Sequence, residues 1–121
     1  MWQLVLLAIT VAAPGAGAQS QPGEAAVERT ILNGYRRYNG TCGHCHGPDG
    51  AGSSFGPSLI EDPLPFARFE EIVREGSARG SFVMRGFAED PNVAPHVQDI
   101  YVYLRARADG TIGRGRPKLE P

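Results

Sequence analysis

Cys42-Gly43-His44-Cys45-His46 is the stretch from which the rest of this chain is read. Two thiols stand three residues apart and an imidazole follows at once. The pattern is C-x-x-C-H, the attachment signature of c-type haem. The spacing suits that chemistry: thiols three apart add to the two vinyl groups of one porphyrin. His46 then lies under the ring as the proximal iron ligand, whereas His44, between the cysteines, cannot fold back to the iron's other face. Two other chemistries of a cysteine pair need sequence that is missing. A thioredoxin-type disulfide sits at a helix start after a strand, but here a helical pattern comes first and no βαβ unit is present. Zinc needs a second ligand pair, and the only other histidine is His96.

Outward from the motif the pattern is helical. Towards the N-terminus, Val27, Ile31, Gly34/Tyr35 and Tyr38 recur at three- and four-residue steps, which is one helix face. That helix starts at Ala25, leaves Arg36 and Arg37 off the face, and is expected to stop at Asn39-Gly40. Towards the C-terminus, Pro65 opens a second helix at its first position. Its apolar face is Phe66, Phe69, Ile72 and Val73, and Gly76 suits its end. A third starts near Pro95, buries Val97, Ile100/Tyr101 and Leu104, and closes at Asp109-Gly110. No strand pattern and no repeat stand out. The reading is an all-α fold of three main helices. The loops between them, residues 41–64 and 77–93, are too long for a compact domain unless a ligand orders them. One haem c in the core would do so.

Length and composition agree. A chain of 121 residues is one domain. Hydrophobic residues make up 41%, with 16 Gly and 10 Pro, so the chain needs a cofactor to complete its core. Two cysteines exclude a disulfide-dense scaffold, and a net charge of −1 gives no reason to expect nucleic acid. Residues 1–18 read as a secretory signal: the apolar run Leu4 to Ala13, then Ala16-Gly17-Ala18, with cleavage after Ala18. The run is shorter than the roughly 20 residues of a spanning helix, so the mature form has no membrane span. The signal lacks an N-terminal Lys or Arg, which leaves an uncleaved anchor as the alternative. Residues 19–24 read as a flexible leader, 25–110 as the haem domain and 111–121 as a basic tail. Periplasmic export fits, because haem attachment of this kind occurs outside the bacterial cytoplasm.

Iron needs a sixth ligand or an open position. Met84 is the only methionine left once Met1 departs, and it lies in the second loop rather than on an apolar helix face. A core-filling Met is the ordinary alternative. His96, near the start of the third helix, is the competing ligand. Ligation by His46 and Met84 fills both axial positions, so the iron exchanges electrons without binding substrate. That describes a monomeric carrier, not an enzyme.

Beyond C-x-x-C-H, nearly all of the chain after the signal resembles the class I cytochromes c. Gly34 and Tyr38 stand where that family places a glycine and an aromatic, and the glycine there lets the first and last helices cross closely. Asp99-Ile100-Tyr101-Val102-Tyr103-Leu104 is similar to the family's terminal-helix segment, and Gly56-Pro57-Ser58-Leu59 to its G-P-x-L. The resemblance implies that the Pro57 carbonyl accepts from the His46 ring and orients it. One departure is Arg85, where the family often has proline after the ligand Met; it implies a less stiff Met loop. A narrower resemblance covers residues 83–118. Phe87-Ala88-Glu89-Asp90-Pro91-Asn92-Val93 and Gly113-Arg114-Gly115-Arg116-Pro117 look like the c550-type cytochromes that accept electrons from PQQ-dependent alcohol dehydrogenases. It implies such a dehydrogenase upstream and a further cytochrome or terminal oxidase downstream. A basic strip can also steer an acidic partner. Two alternatives remain: a haem sensor or enzyme with a displaceable Met84, and a fixed haem subunit of a larger redox complex.

Overall fold

The computed structural model describes residues 8–12, 15 and 22–118. The cleavage site after Ala18 and the end of the tail lie outside them. Helix α1 spans Pro22–Arg37. It begins three residues earlier than its apolar periodicity suggests, because Pro22 and Glu24 both suit a first turn. Half of the segment read as a loose leader is therefore helical. Nor does α1 end at Asn39-Gly40. The chain widens into a π turn over Tyr38–Cys42 and runs on into the short helix α2, Gly43–His46. The Gly43 N–H reaches the Tyr38 carbonyl across this wider turn. Asn39 Nδ2 donates to the Tyr35 carbonyl at 2.8 Å, satisfying a group that a plain helix stop would have left free.

Helix α3 covers Phe66–Glu75, with Pro65 as its N-cap rather than its first helical residue, and Gly76 closes it. A small antiparallel hairpin follows, β1 Ser77–Arg79 and β2 Phe82–Met84, with Ser77 opposite Met84. No strand was legible in these six residues. Three residues a side are too few for an alternation to show. A single 3₁₀ turn at Ala94–His96 leads into helix α4, Val97–Ala108.

Helices α1 and α4 form the main packing pair, and α3 lies against α4. Their crossing is set by Gly34. A Cβ there would sit 2.0 Å from the Asp99 carbonyl oxygen and 2.7 Å from Tyr103 Cβ. The core is Ile31, Tyr38, Phe69, Val73, Val93, Val97, Ile100, Tyr103, Leu104 and Ala106. Tyr103, absent from the face read off the sequence, is fully buried between Tyr35 and Tyr38, with ring centroids 5.7 and 5.6 Å away.

Residues 111–118 are not a free tail in this structure. Gly115 N–H and Arg114 Nε both bind the Asp49 carboxylate, and Pro117 is buried. Among the described residues no helix is long and apolar enough to cross a membrane.

Candidate haem-binding site

The site is built where the chain turns back after α2. Cys42 ends the π turn, and Cys45 and His46 occupy the last turn of α2. Gly47, at φ +77°, stops that helix; a Cβ there would meet the Gly52 carbonyl oxygen at 2.3 Å. The loop then doubles over α2. Gly52 N–H bonds the His46 carbonyl at 2.7 Å, and Ser53 Oγ donates to the Cys45 carbonyl. These bonds satisfy the carbonyl ends of a helix too short to cap itself.

The same loop orients His46. Its ring Nδ1–H donates to the Pro57 carbonyl at 2.9 Å. A carbonyl only accepts, so the proton sits on Nδ1 and the Nε2 lone pair is left for a metal. Gly56 makes room: a Cβ there would be 3.0 Å from Nδ1. Cys42 and Cys45 are both free thiols. Burial, the largest cause, pushes the Cys42 thiol up to about 11, with the Asp90 and Cys45 charges adding to it. A neutral thioether suits that environment better than a thiolate.

Met84 approaches from the hairpin. It is half-buried and borders the same apolar cluster as Cys42, Leu59, Ile60, Phe66 and Phe87. Two glycines seat it on the end of α3. A Cβ on Gly76 would lie 2.6 Å from the Met84 carbonyl oxygen, and one on Gly86 would lie 2.5 Å from the Arg74 carbonyl oxygen. Phe87 N–H then bonds the Val73 carbonyl at 2.8 Å. The sequence marks Gly76 only as the end of α3 and does not mark Gly86, so neither close approach was legible there. Arg85 turns outward, its guanidinium carbon 4.2 Å above the Phe87 ring and an Nη 3.6 Å from Asp90. His44 is exposed. His96 Nδ1 accepts from Asn33 Nδ2 at 3.1 Å, beside the bond from Asn33 to Asp99 at the α1–α4 crossing.

The donors suit haem c: two unpaired thiols on one helical stretch, an imidazole in the right tautomer, and a thioether bordering the same apolar cluster. They do not suit zinc. Among the described residues no group of three or more His, Cys, Asp or Glu side chains is placed to hold a metal ion.

Comparison with known proteins agrees. The family model described as cytochrome c oxidase, cbb3-type, subunit III matches residues 29–104. Cytochrome c-555 of Methylococcus capsulatus is 33% identical over 113 residues, covering 91% of this chain and 85% of that protein. The chain belongs to the c-type cytochromes. Cytochrome c-553I of Paracoccus denitrificans is 40% identical over 100 residues, 78% of this chain. The crystal structure of the c-type cytochrome XoxG from Methylobacterium extorquens AM1 superposes with a TM-score of 0.69 at 43% identity, over 74% of this chain. The chain spans 44% of the Paracoccus protein's length and 57% of the XoxG chain. Cytochromes of this family are electron carriers rather than enzymes, and their cofactor is covalently held haem c.

Proposed function

We propose that this cytochrome is a periplasmic single-haem carrier that accepts electrons from a PQQ-dependent alcohol dehydrogenase and passes them towards a terminal oxidase. The observation that carries the redox role is the His46–Pro57 bond beside two free thiols. When bound, haem c supplies a one-electron couple at its iron. Cys42 and Cys45 would hold it through two thioethers. His46, its Nδ1–H committed to Pro57, would offer Nε2 to the iron, and the hydrogen bond would raise its basicity. Met84 would offer its sulfur. With the chain supplying both ligands, substrate would have no route to the metal. The dehydrogenase assignment is supported by the resemblance over residues 83–118, and by the exposed Arg116 and Lys118 beside a structurally anchored segment.

Visible spectra of the oxidised and reduced holoprotein, with and without CO, test the ligand set. A low-spin spectrum with the weak far-red sulfur–iron band, unchanged by CO, is expected. A high-spin spectrum, or rapid conversion by CO, would remove Met84 and favour a sensor or enzyme. Rapid mixing with reduced dehydrogenase tests the partner: haem left oxidised on the turnover timescale rejects it. A second reading, a fixed haem subunit of a larger complex, is favoured by the oxidase-subunit family model. Stable co-purification with an oxidase or dehydrogenase would select it.

A further inference from the structure

Asp49 is the buried charged side chain in the described core, 7% exposed, and it holds a left-handed backbone conformation at φ +60° without being glycine. Asp tolerates that region better than most residues, at some cost in strain. The surroundings over-determine it. Gly115 N–H donates to its Oδ1 at 2.8 Å and Arg114 Nε to its Oδ2 at 3.4 Å. Its own carbonyl accepts from Arg107 Nε at 3.1 Å, and Arg107 Nη1 also bonds the Ile112 carbonyl at 3.4 Å. The C-terminal segment is thus tied to the loop three residues beyond His46.

That loop is continuous with the support of the histidine. Gly50, next to Asp49, accepts at its carbonyl from Leu59 N–H at 2.8 Å and Ser58 Oγ at 3.3 Å. Leu59 and Ser58 directly follow Pro57, whose carbonyl takes the His46 Nδ1–H. A Cβ on Gly52 would lie 2.7 Å from Ser58 N, so the two arms of the loop are packed directly on one another. We propose that Asp49 is a positioning residue for His46, using Arg114 and Gly115 of the C-terminal segment as a brace that keeps the Pro57 carbonyl against the imidazole. This rests on His46 being an axial ligand, and it gives residues 113–117 an internal task distinct from partner docking.

The test uses holoprotein: D49N, a chain ending at Ile112, and the two combined. D49N keeps the shape and the left-handed tolerance but loses the charge. Exchange of the His46 Nδ1–H is followed by NMR, and the midpoint potential is measured alongside. Each single change is expected to speed that exchange about tenfold, the scale of one hydrogen bond to a charged group. Each also raises the potential, because a weaker bond to Pro57 leaves a less basic imidazole and less support for Fe(III). The combined protein is expected to show no more than either change alone. R114A, which removes one donor and spares Asp49, shifts both readouts the same way by less, and stands in if D49N fails to fold. Unchanged exchange and potential, with only the C-terminal segment becoming protease-sensitive, would overturn the brace, as would additive effects. Absence of hyperfine-shifted His46 ring signals in the parent protein would instead defeat the ligand assignment itself.

Discussion

Tyr103 shows how a single atom can oppose the packing around it. Its ring fills the centre of the core, but among the described residues its hydroxyl completes no hydrogen bond of good geometry, with only the Arg107 guanidinium beside it. A buried hydroxyl without a partner is a net cost. Y103F is therefore expected to leave stability unchanged or raise it by about 1 kcal/mol, read as a thermal midpoint of the holoprotein. Truncation to Ala would instead cost about 3–5 kcal/mol through the cavity it leaves. Arg85 makes the opposite case. At 70% exposure its ion pair with Asp90 contributes little, but its stacking on Phe87 braces the chain just after Met84. R85A is expected to speed imidazole binding to the oxidised haem about threefold, the scale of an exposed cation–π contact. An unchanged stopped-flow rate would show that the Gly76 and Gly86 seating alone holds the loop.

Among the elements, the α1–α4 crossing carries the fold. G34A would force a methyl group into the Asp99 carbonyl and the Tyr103 side chain. Both belong to a packed helix, so the helices must separate. A loss of about 3 kcal/mol is expected, measured by denaturant unfolding of the holoprotein; an unaltered midpoint would mean that the crossing is softer than its geometry. The π turn at Tyr38–Cys42 matters for a related reason. It lets one continuous helical path carry Gly34 at the crossing and then aim Cys42, Cys45 and His46 from its end. Asn39-Gly40 looks like a stop signal in sequence because the side-chain bond that removes the stop, Asn39 to the Tyr35 carbonyl, is invisible there.

For the molecule as a whole, alkaline pH probes the core. Burial, the largest cause, raises both Tyr38 and Tyr103 above the ordinary 10.0, Tyr103 to about 12, with the Asp49 charge adding and the Arg107 charge opposing. The folded state keeps these protons longer than the unfolded one. Their stabilising effect is thus complete below pH 10 and is lost as pH rises from 10 towards 12. Denaturant midpoints across that window are expected to fall, and to fall less steeply in Y103F; parallel curves would reject the linkage. By itself the sequence determined most of the helix faces, the exposed Val27 and the buried Tyr103 apart, and the chemistry implied by C-x-x-C-H, because periodicity and a fixed short spacing are local properties; the helix contact at Gly34 was implied by the family resemblance. Only the tertiary structure decided that α1 runs into the motif, that Met84 sits on a hairpin seated on α3, and that the C-terminal segment closes on Asp49. The first depends on a side-chain bond to a carbonyl four residues back, which leaves no pattern in the sequence; the other two depend on close approaches and hydrogen bonds between separate segments, and a P-D-G turn shows nothing of the arginine that reaches it 65 residues later.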